Sequence, residues 1–357
     1  MKISTTLLLV FLLIGIMGCT NKEVLTTDNP LDLFNKNHKL QGEVITLDKE
    51  LVGMPAYRMT KLDSLLVIYD WQKANESFLF VVNIQKKKLI DKIIRLGWGP
   101  CEFSLLTSIK SDRKRRVINF MDPNKKQLYE LKLNELDGGG HPCPEDVATF
   151  RDNYGETTNF IDVLKFDSNY LIGFGPASGD AMYSIMNASG NIIKNQHDFP
   201  KIQGVDNQFL SEIYFGDIIK NPAGNRIACV AQPGLLQIAE FKDEALKIIH
   251  SFESIKPIVS IVDNRAALSK NTKIGYVTSS ATQKYIYVAY DDKTKQESLT
   301  SGVSCKYILV FDWDGNPHAV YELDYPIVAF TVDEEEKAIY AVANIPEPKI
   351  IRYDIGL

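Results

Sequence analysis

Beyond residue 41 the chain is written in short runs rich in Val, Ile, Tyr and Phe, broken by Asp, Asn, Gly and Pro. The periodicity of long amphipathic helices is hard to find there, and the pattern is that of an all-β protein. Six of the runs resemble one another: "LLVIYD" ending at Asp70, "VINFMD" at Asp122, "YLIGFG" at Gly175, "RIACVA" at Ala231, "YIYVAYD" at Asp291 and "AIYAVAN" at Asn344. A polar loop and a second run follow each, and these second runs end at Asn83, Lys132, Asn187, Lys242, Asp312 and Asp354. Their ends are spaced by 49, 55, 55, 70 and 42 residues, and the unit with the long interval carries an insertion, "DKTKQESLTSGVS", at 292–304. A further short strand precedes each unit, as in "AYRMTKLD", "LTSIKSD" and "DVLKFD". Polar or glycine-bearing corners such as "NASGN" and "DWDGN" lead out of the second runs. Four strands per unit at a period of about 50 residues predict an all-β, six-bladed β-propeller. The sixth unit runs out of chain before its fourth strand. "GEVITLD" at 42–48 is the candidate to complete it, closing the ring with strands from both ends and removing an exposed sheet edge.

In this frame "RLGWGPCEFSLLTSI" at 95–109 is the crossover from blade 1 to blade 2. Gly97 and Gly99 admit backbone angles that other residues avoid, and Pro100 stiffens the exit. A dinucleotide-binding loop needs a third glycine and a helix after it; here Glu102 stands in that place and a strand follows. The corner "GWGPCEF", with the downstream "VINFMDPNKKQLYEL", resembles the NHL-type repeat and, more closely, the GxGPGEF corner of six-bladed, TolB-like propeller lipoproteins of Bacteroidetes. Cys101 stands where that corner has its usual glycine. The resemblance implies a propeller over residues 41–357 on a lipid anchor, and no settled activity.

The first residues change the picture by giving an address. Lys2, an apolar run from Leu7 to Met17 too short to span a bilayer, and the small Gly18 form the layout of a signal peptide at 1–18. "IMGC" resembles a bacterial lipobox, which makes Cys19 the expected lipidation site and 19–40 a flexible tether. Thr20, rather than Asp, follows Cys19, and the outer membrane is therefore the expected destination.

Composition mainly excludes. With 45 Asp and Glu against 40 Lys and Arg, there is no basic surplus for nucleic-acid binding, and the "RKRR" run at 113–116 reads as an exposed turn. No cysteine pair has zinc-ribbon or redox spacing. Cys229 lies in an apolar strand pattern and is expected to be buried. Cys101 and Cys143 are assigned to consecutive blade crossovers on the same face, so a disulfide is open to them. Nothing in their spacing forces proximity, and free thiols are the expectation for both; the sequence does not decide the state of Cys305.

Candidate chemistry is sparse. Trp71 and Trp98 offer a stacking platform for a glycan or peptide, against a plain role covering blade corners. Tyr154, Pro176, Asp180, the 292–304 insertion and "GGGHPCPED" at 138–146 are expected on the same face. His141, Cys143, Glu145 and Asp146 fall close together without a partner cluster, and "DWDGN" reads as a turn, so no metal site and no cofactor is expected. The five histidines avoid the inner strands, and no nucleophile elbow occurs. Lys61, Lys110, Lys165 and Lys220 recur near the ends of successive inner strands, followed by Ser279 and Thr331. A ring of ammonium groups at the channel mouth suits an anionic ligand; the blander reading has them splaying into water. The candidate binding residues are therefore Trp71, Trp98, Glu102 and the four lysines. The expected function is an outer-membrane-anchored extracytoplasmic module that binds a glycan, a peptide or a partner protein without catalysis. The alternative is a metal-dependent propeller hydrolase or lyase acting on extracytoplasmic glycans or lactones.

Overall fold

The computed structural model describes residues 25–26, 29–51, 56–70, 76–133, 143–175, 181–262 and 265–356. Among these, six four-stranded antiparallel blades follow one another along the chain; blades 5 and 6 are joined in one sheet, and blades 1 and 4 each carry one further short parallel strand at the outer edge. Blade 1 runs outward from Ala56–Leu62 through Leu65–Asp70 and Ser77–Asn83 to Lys88–Leu96. The innermost strands of blades 2 to 5 are Thr107–Asp112, Asp162–Lys165, Gly216–Lys220 and Lys273–Ala281. Pro317–Val332 serves two blades. Its first half pairs Val320 with Leu309 as the outer strand of blade 5, and its second half pairs Phe330 with Ala341 as the inner strand of blade 6.

Each blade is buried on both faces, which explains why the second strands read as unbroken apolar runs. In "LLVIYD", Leu66 and Ile68 pack towards blade 6, and Val67 and Tyr69 pack towards blade 2. The buried apolar residues form six clusters, one at each interface between neighbouring blades, including that between blades 6 and 1. The ring is therefore closed by packing as well as by topology.

The chain start is a strap around the rim. Strand β1 (Leu25–Thr26) lies parallel to the outer strand of blade 4, Leu25 opposite Phe252. A single 3₁₀ turn, Pro30–Leu33, is capped by Asn29, and its Leu31, Leu33 and the following Phe34 pack on the cluster between blades 4 and 5. Strand β2 (Asn37–Leu40) pairs in parallel with the outer edge of blade 5, and β3 (Gly42–Ile45) pairs antiparallel with Glu347–Asp354 as the fourth strand of blade 6. The closing strand falls where the sequence places it. The flexible tether does not: from Asn29 on, the segment is docked, because its few apolar side chains and its backbone find unoccupied blade edges. The expected signal peptide, 1–18, lies outside the described residues.

The long interval before Asp312 has two causes. One is the 292–304 insertion, which folds into the helix Lys295–Ser301 with a capping box between Thr294 and Glu297. The other is a separate hairpin, Val259–Val262 with Arg265–Leu268, between blades 4 and 5.

Candidate functional site

Two faces result from this topology. One carries the turns from first to second strand; the other carries the crossovers between blades and the loops from second to third strand.

On the crossover face, the 97–103 corner is built around Glu102. Its Oε2 accepts the Gly99 N–H at 2.9 Å, while Gly97 N–H donates to the Phe103 carbonyl at 3.0 Å. A Cβ on Gly97 would collide with the Glu102 carboxylate, and one on Gly99 would stand 3.0 Å from it. The two glycines thus make room for the acid, and the acid fixes the turn, so Glu102 holds the corner instead of presenting itself to a ligand. Cys101 sits at φ +63°, a region glycine enters freely and other residues do not. It is bonded to Cys143, with 5.1 Å between the Cα atoms. The expectation of free thiols is corrected for this pair; Cys229 and Cys305 are free and buried. Cys143 lies between the third and fourth strands of blade 2, not on a crossover as the sequence suggested. Of "GGGHPCPED", Glu145 and Asp146 belong to the outer strand Glu145–Thr149, and 138–142 lie outside the described residues.

This rigid corner holds Trp98 83 % exposed. On the next crossover Tyr154 is 92 % exposed, at the tip of a turn in which Asp152 Oδ1 accepts both the Tyr154 and Glu156 N–H groups at 2.9 Å. Phe215, Ile258 and Ile261 are exposed on later crossovers, and Leu299 and Val303 on the second-to-third-strand loop of blade 5. The other large apolar side chains left exposed among the described residues, Val44, Ile90 and Ile193, are on outer strands. Trp71, Pro176, Asp180 and His141 lie outside the described residues.

The channel and turn face are saturated with charge pairs. Arg58 of blade 1 reaches Asp217 of blade 4, both side chains largely buried, so an ion pair spans the axis. Lys61 binds Asp333 at 3.0 Å, Lys110 binds Asp162 at 2.7 Å and Lys165 binds Glu130 at 3.3 Å. Asp162 also accepts the Ile218 N–H at 2.7 Å, tying blades 2, 3 and 4. Lys220 donates to the Phe166 carbonyl at 2.6 Å and lies 4.3 Å from the centre of that ring; burial lowers its pKa. The lysines neither splay into water nor form a ring of free cations. Three have a carboxylate from a neighbouring blade, and the fourth has a carbonyl and an aromatic face. In the "RKRR" turn Lys114 and Arg115 are exposed as expected while Arg113 and Arg116 are half-buried, and its arginines are spoken for: Arg113 pairs with Glu334, Arg115 with Glu130 and Arg116 with Asp63. Ser279 stands 3.5 Å from Asp217, and Thr331 is buried.

The described histidines keep to the rim. His38 is in β2, and His197, His250 and His318 are on outer strands of blades 3, 4 and 5. "DWDGN" is a turn in which Asp312 Oδ1 accepts from Asp314 and Asn316 N–H. No three His, Cys, Asp or Glu residues gather as a metal-ligand set among the described residues.

The sheets, their closure and the six interfaces define the molecule as a six-bladed β-propeller. The family model described as TolB-like 6-blade propeller-like matches residues 33–335, and the chain belongs to that family. Among solved structures it is similar to a Bacteroides fragilis protein designated a candidate exported protein, at 14% identity and a TM-score of 0.54, over 92% of this chain and 98% of that one. It is also similar to a member of the duf4221 family from Bacteroides vulgatus, at 11% identity and a TM-score of 0.55, over 88% of this chain and 97% of that one. No curated protein matches the sequence.

Proposed function

We propose that the protein is a non-catalytic, extracytoplasmic propeller, held through a lipid on Cys19 at the outer membrane, that binds a partner protein at the crossovers bearing Trp98 and Tyr154. The observation that carries this reading is that two aromatic side chains stand exposed on consecutive crossovers whose backbones are already fixed, one by Glu102 and the cystine, the other by Asp152. Aromatic anchors on preorganised loops are the side chains that supply most binding energy, because little entropy remains to be lost. The export address agrees with the exported designation of the Bacteroides fragilis neighbour. The turn face is a poorer candidate, since a ligand there must displace existing ion pairs. The test is photo-crosslinking in living cells from positions 98 and 154, with Lys284 on the turn face as control. A discrete adduct is expected at the first two positions and none at the third. Stoichiometric calcium or zinc in the purified protein would favour the hydrolase or lyase reading instead.

A further inference from the structure

We infer that the groove between the blade 3-to-4 crossover and the blade 4-to-5 crossover binds an amphipathic anion, an aliphatic chain ending in a carboxylate. The site lies apart from Trp98 and Tyr154, which sit on the two preceding crossovers, and it stands independently of the partner reading.

The groove encloses about 630 Å³, a size at which clefts hold small molecules. One wall is the turn at 202–205, closed by the Val205 N–H donating to the Ile202 carbonyl at 3.1 Å. The other is the inward face of the hairpin Val259–Val262/Arg265–Leu268, where Val259 stands opposite Leu268 and Ile261 opposite Ala266. Val259, Ala266 and Leu268 pack, with Ile202 and Val205, on the cluster between blades 3 and 4. Ile261 continues the same face past the edge of that cluster; it is 47 % exposed and lines the groove. Ile258, 55 % exposed, adds to the apolar lining.

The walls are fixed by the fold itself. Ser269 N–H donates to the Ile258 carbonyl at 2.7 Å, and Thr272 Oγ1 donates to the same carbonyl at 3.0 Å and accepts the Ile258 N–H at 3.3 Å. Ala266 N–H donates to Glu212 Oε2 at 2.9 Å, which ties the hairpin to the short helix Leu210–Ile213. The clamp between Ile258 and Thr272 also sets a polar end. Lys256 precedes Ile258 by two residues, Lys273 follows Thr272, and both line the groove. Lys256 is exposed and Lys273 half-buried, and neither is in an ion pair among the described residues.

Charge and shape select the occupant. Among the described residues that line the groove there is no aspartate, no glutamate and no aromatic ring. A cation would meet only like charge there, and a sugar or a nucleobase would find no ring to stack on. Two ammonium groups without carboxylate partners, beside branched aliphatic side chains, match a carboxylate head and a hydrocarbon tail.

The experiment uses the full chain carrying Cys19→Ser, so that no lipid of its own competes, and the fluorescent probe 11-(dansylamino)undecanoate. Probe emission should rise and shift to the blue as protein is added. Dodecanoate should displace the probe about tenfold more effectively than dodecanol or dodecyltrimethylammonium, all below their micellar concentrations. Lys256→Met/Lys273→Met should weaken dodecanoate by about tenfold and leave dodecanol unchanged. Ile258→Asp, at an exposed position, should abolish the signal with the unfolding midpoint unchanged, and Trp98→Ala should have no effect. If Ile258→Asp does lower the midpoint, Ile261→Asp gives the same reading. A probe that does not bind, dodecanol as effective as dodecanoate, or unchanged dodecanoate affinity in the double lysine variant overturns the inference. A signal that persists in both aspartate variants overturns it as well, because the probe then sits elsewhere.

Discussion

Arg58 on the inner strand of blade 1 forms an ion pair with Asp217 on the inner strand of blade 4, across the axis of the propeller. The two are separated by half the ring, and both side chains are largely shielded from water. Removing one partner leaves the other charged and buried, which costs about 3–5 kcal/mol, whereas replacing both with apolar residues costs less. Asp217→Leu should therefore destabilise the protein more than the double variant Arg58→Met/Asp217→Leu. Urea unfolding of the two singles and the double gives the coupling directly.

The cystine at the Trp98 corner should matter in two separable ways. Losing the cross-link in Cys101→Ser/Cys143→Ser is expected to cost about 2–4 kcal/mol. In Cys101→Gly/Cys143→Ser the cross-link is equally absent, but a glycine occupies the left-handed position, and about 1 kcal/mol should return. Thermal unfolding under non-reducing conditions ranks the three proteins.

His318 stacks on Tyr285 at 4.4 Å, and burial, with Lys36 nearby, holds its pKa below the usual 6.5. Below pH 6.5 the unfolded chain then binds the proton more readily than the folded one, so this residue contributes a loss of stability as pH falls from 6.5 towards its folded pKa. Between pH 7 and pH 5 the unfolding midpoint of His318→Gln should fall less than that of the wild type.

Lipidation has its own test. Cys19→Ser should abolish labelling by radioactive palmitate and release the protein from membranes, and unchanged membrane association would remove the basis for the anchor.

Much of the fold was legible because a blade buried on both faces leaves an apolar run, and six such runs recur at one period. Closure was legible for a similar reason: "GEVITLD" is a strand pattern with no partner in its own blade. The strap 29–40 was not, since it docks through backbone pairing and a few apolar side chains, among them Leu31, Leu33, Phe34 and Leu40, which leaves a polar sequence that resembles a tether. The lysines were placed correctly on the inner strands, but their partners were invisible. Asp333 lies 272 residues from Lys61 and Asp162 lies 52 from Lys110, and only the ring brings them together. The corner motif marked the site of Trp98 without revealing that Glu102 serves the backbone. Phe215, Ile258 and Leu299 carried no signal, because an exposed apolar residue on a loop is written with the same letters as a core one.

The account rests on Trp98 and Tyr154 as the binding anchors, and one titration tests this most directly. With the protein captured from position 98 identified and purified, its affinity is measured for wild type, Trp98→Ala, Tyr154→Ala and Lys284→Ala. Each aromatic truncation should weaken binding at least tenfold, about 1.4 kcal/mol, without shifting the unfolding midpoint, and Lys284→Ala should change neither. Wild-type affinity in both aromatic variants, or a loss in Lys284→Ala alone, would contradict the account and move the binding surface to the opposite face.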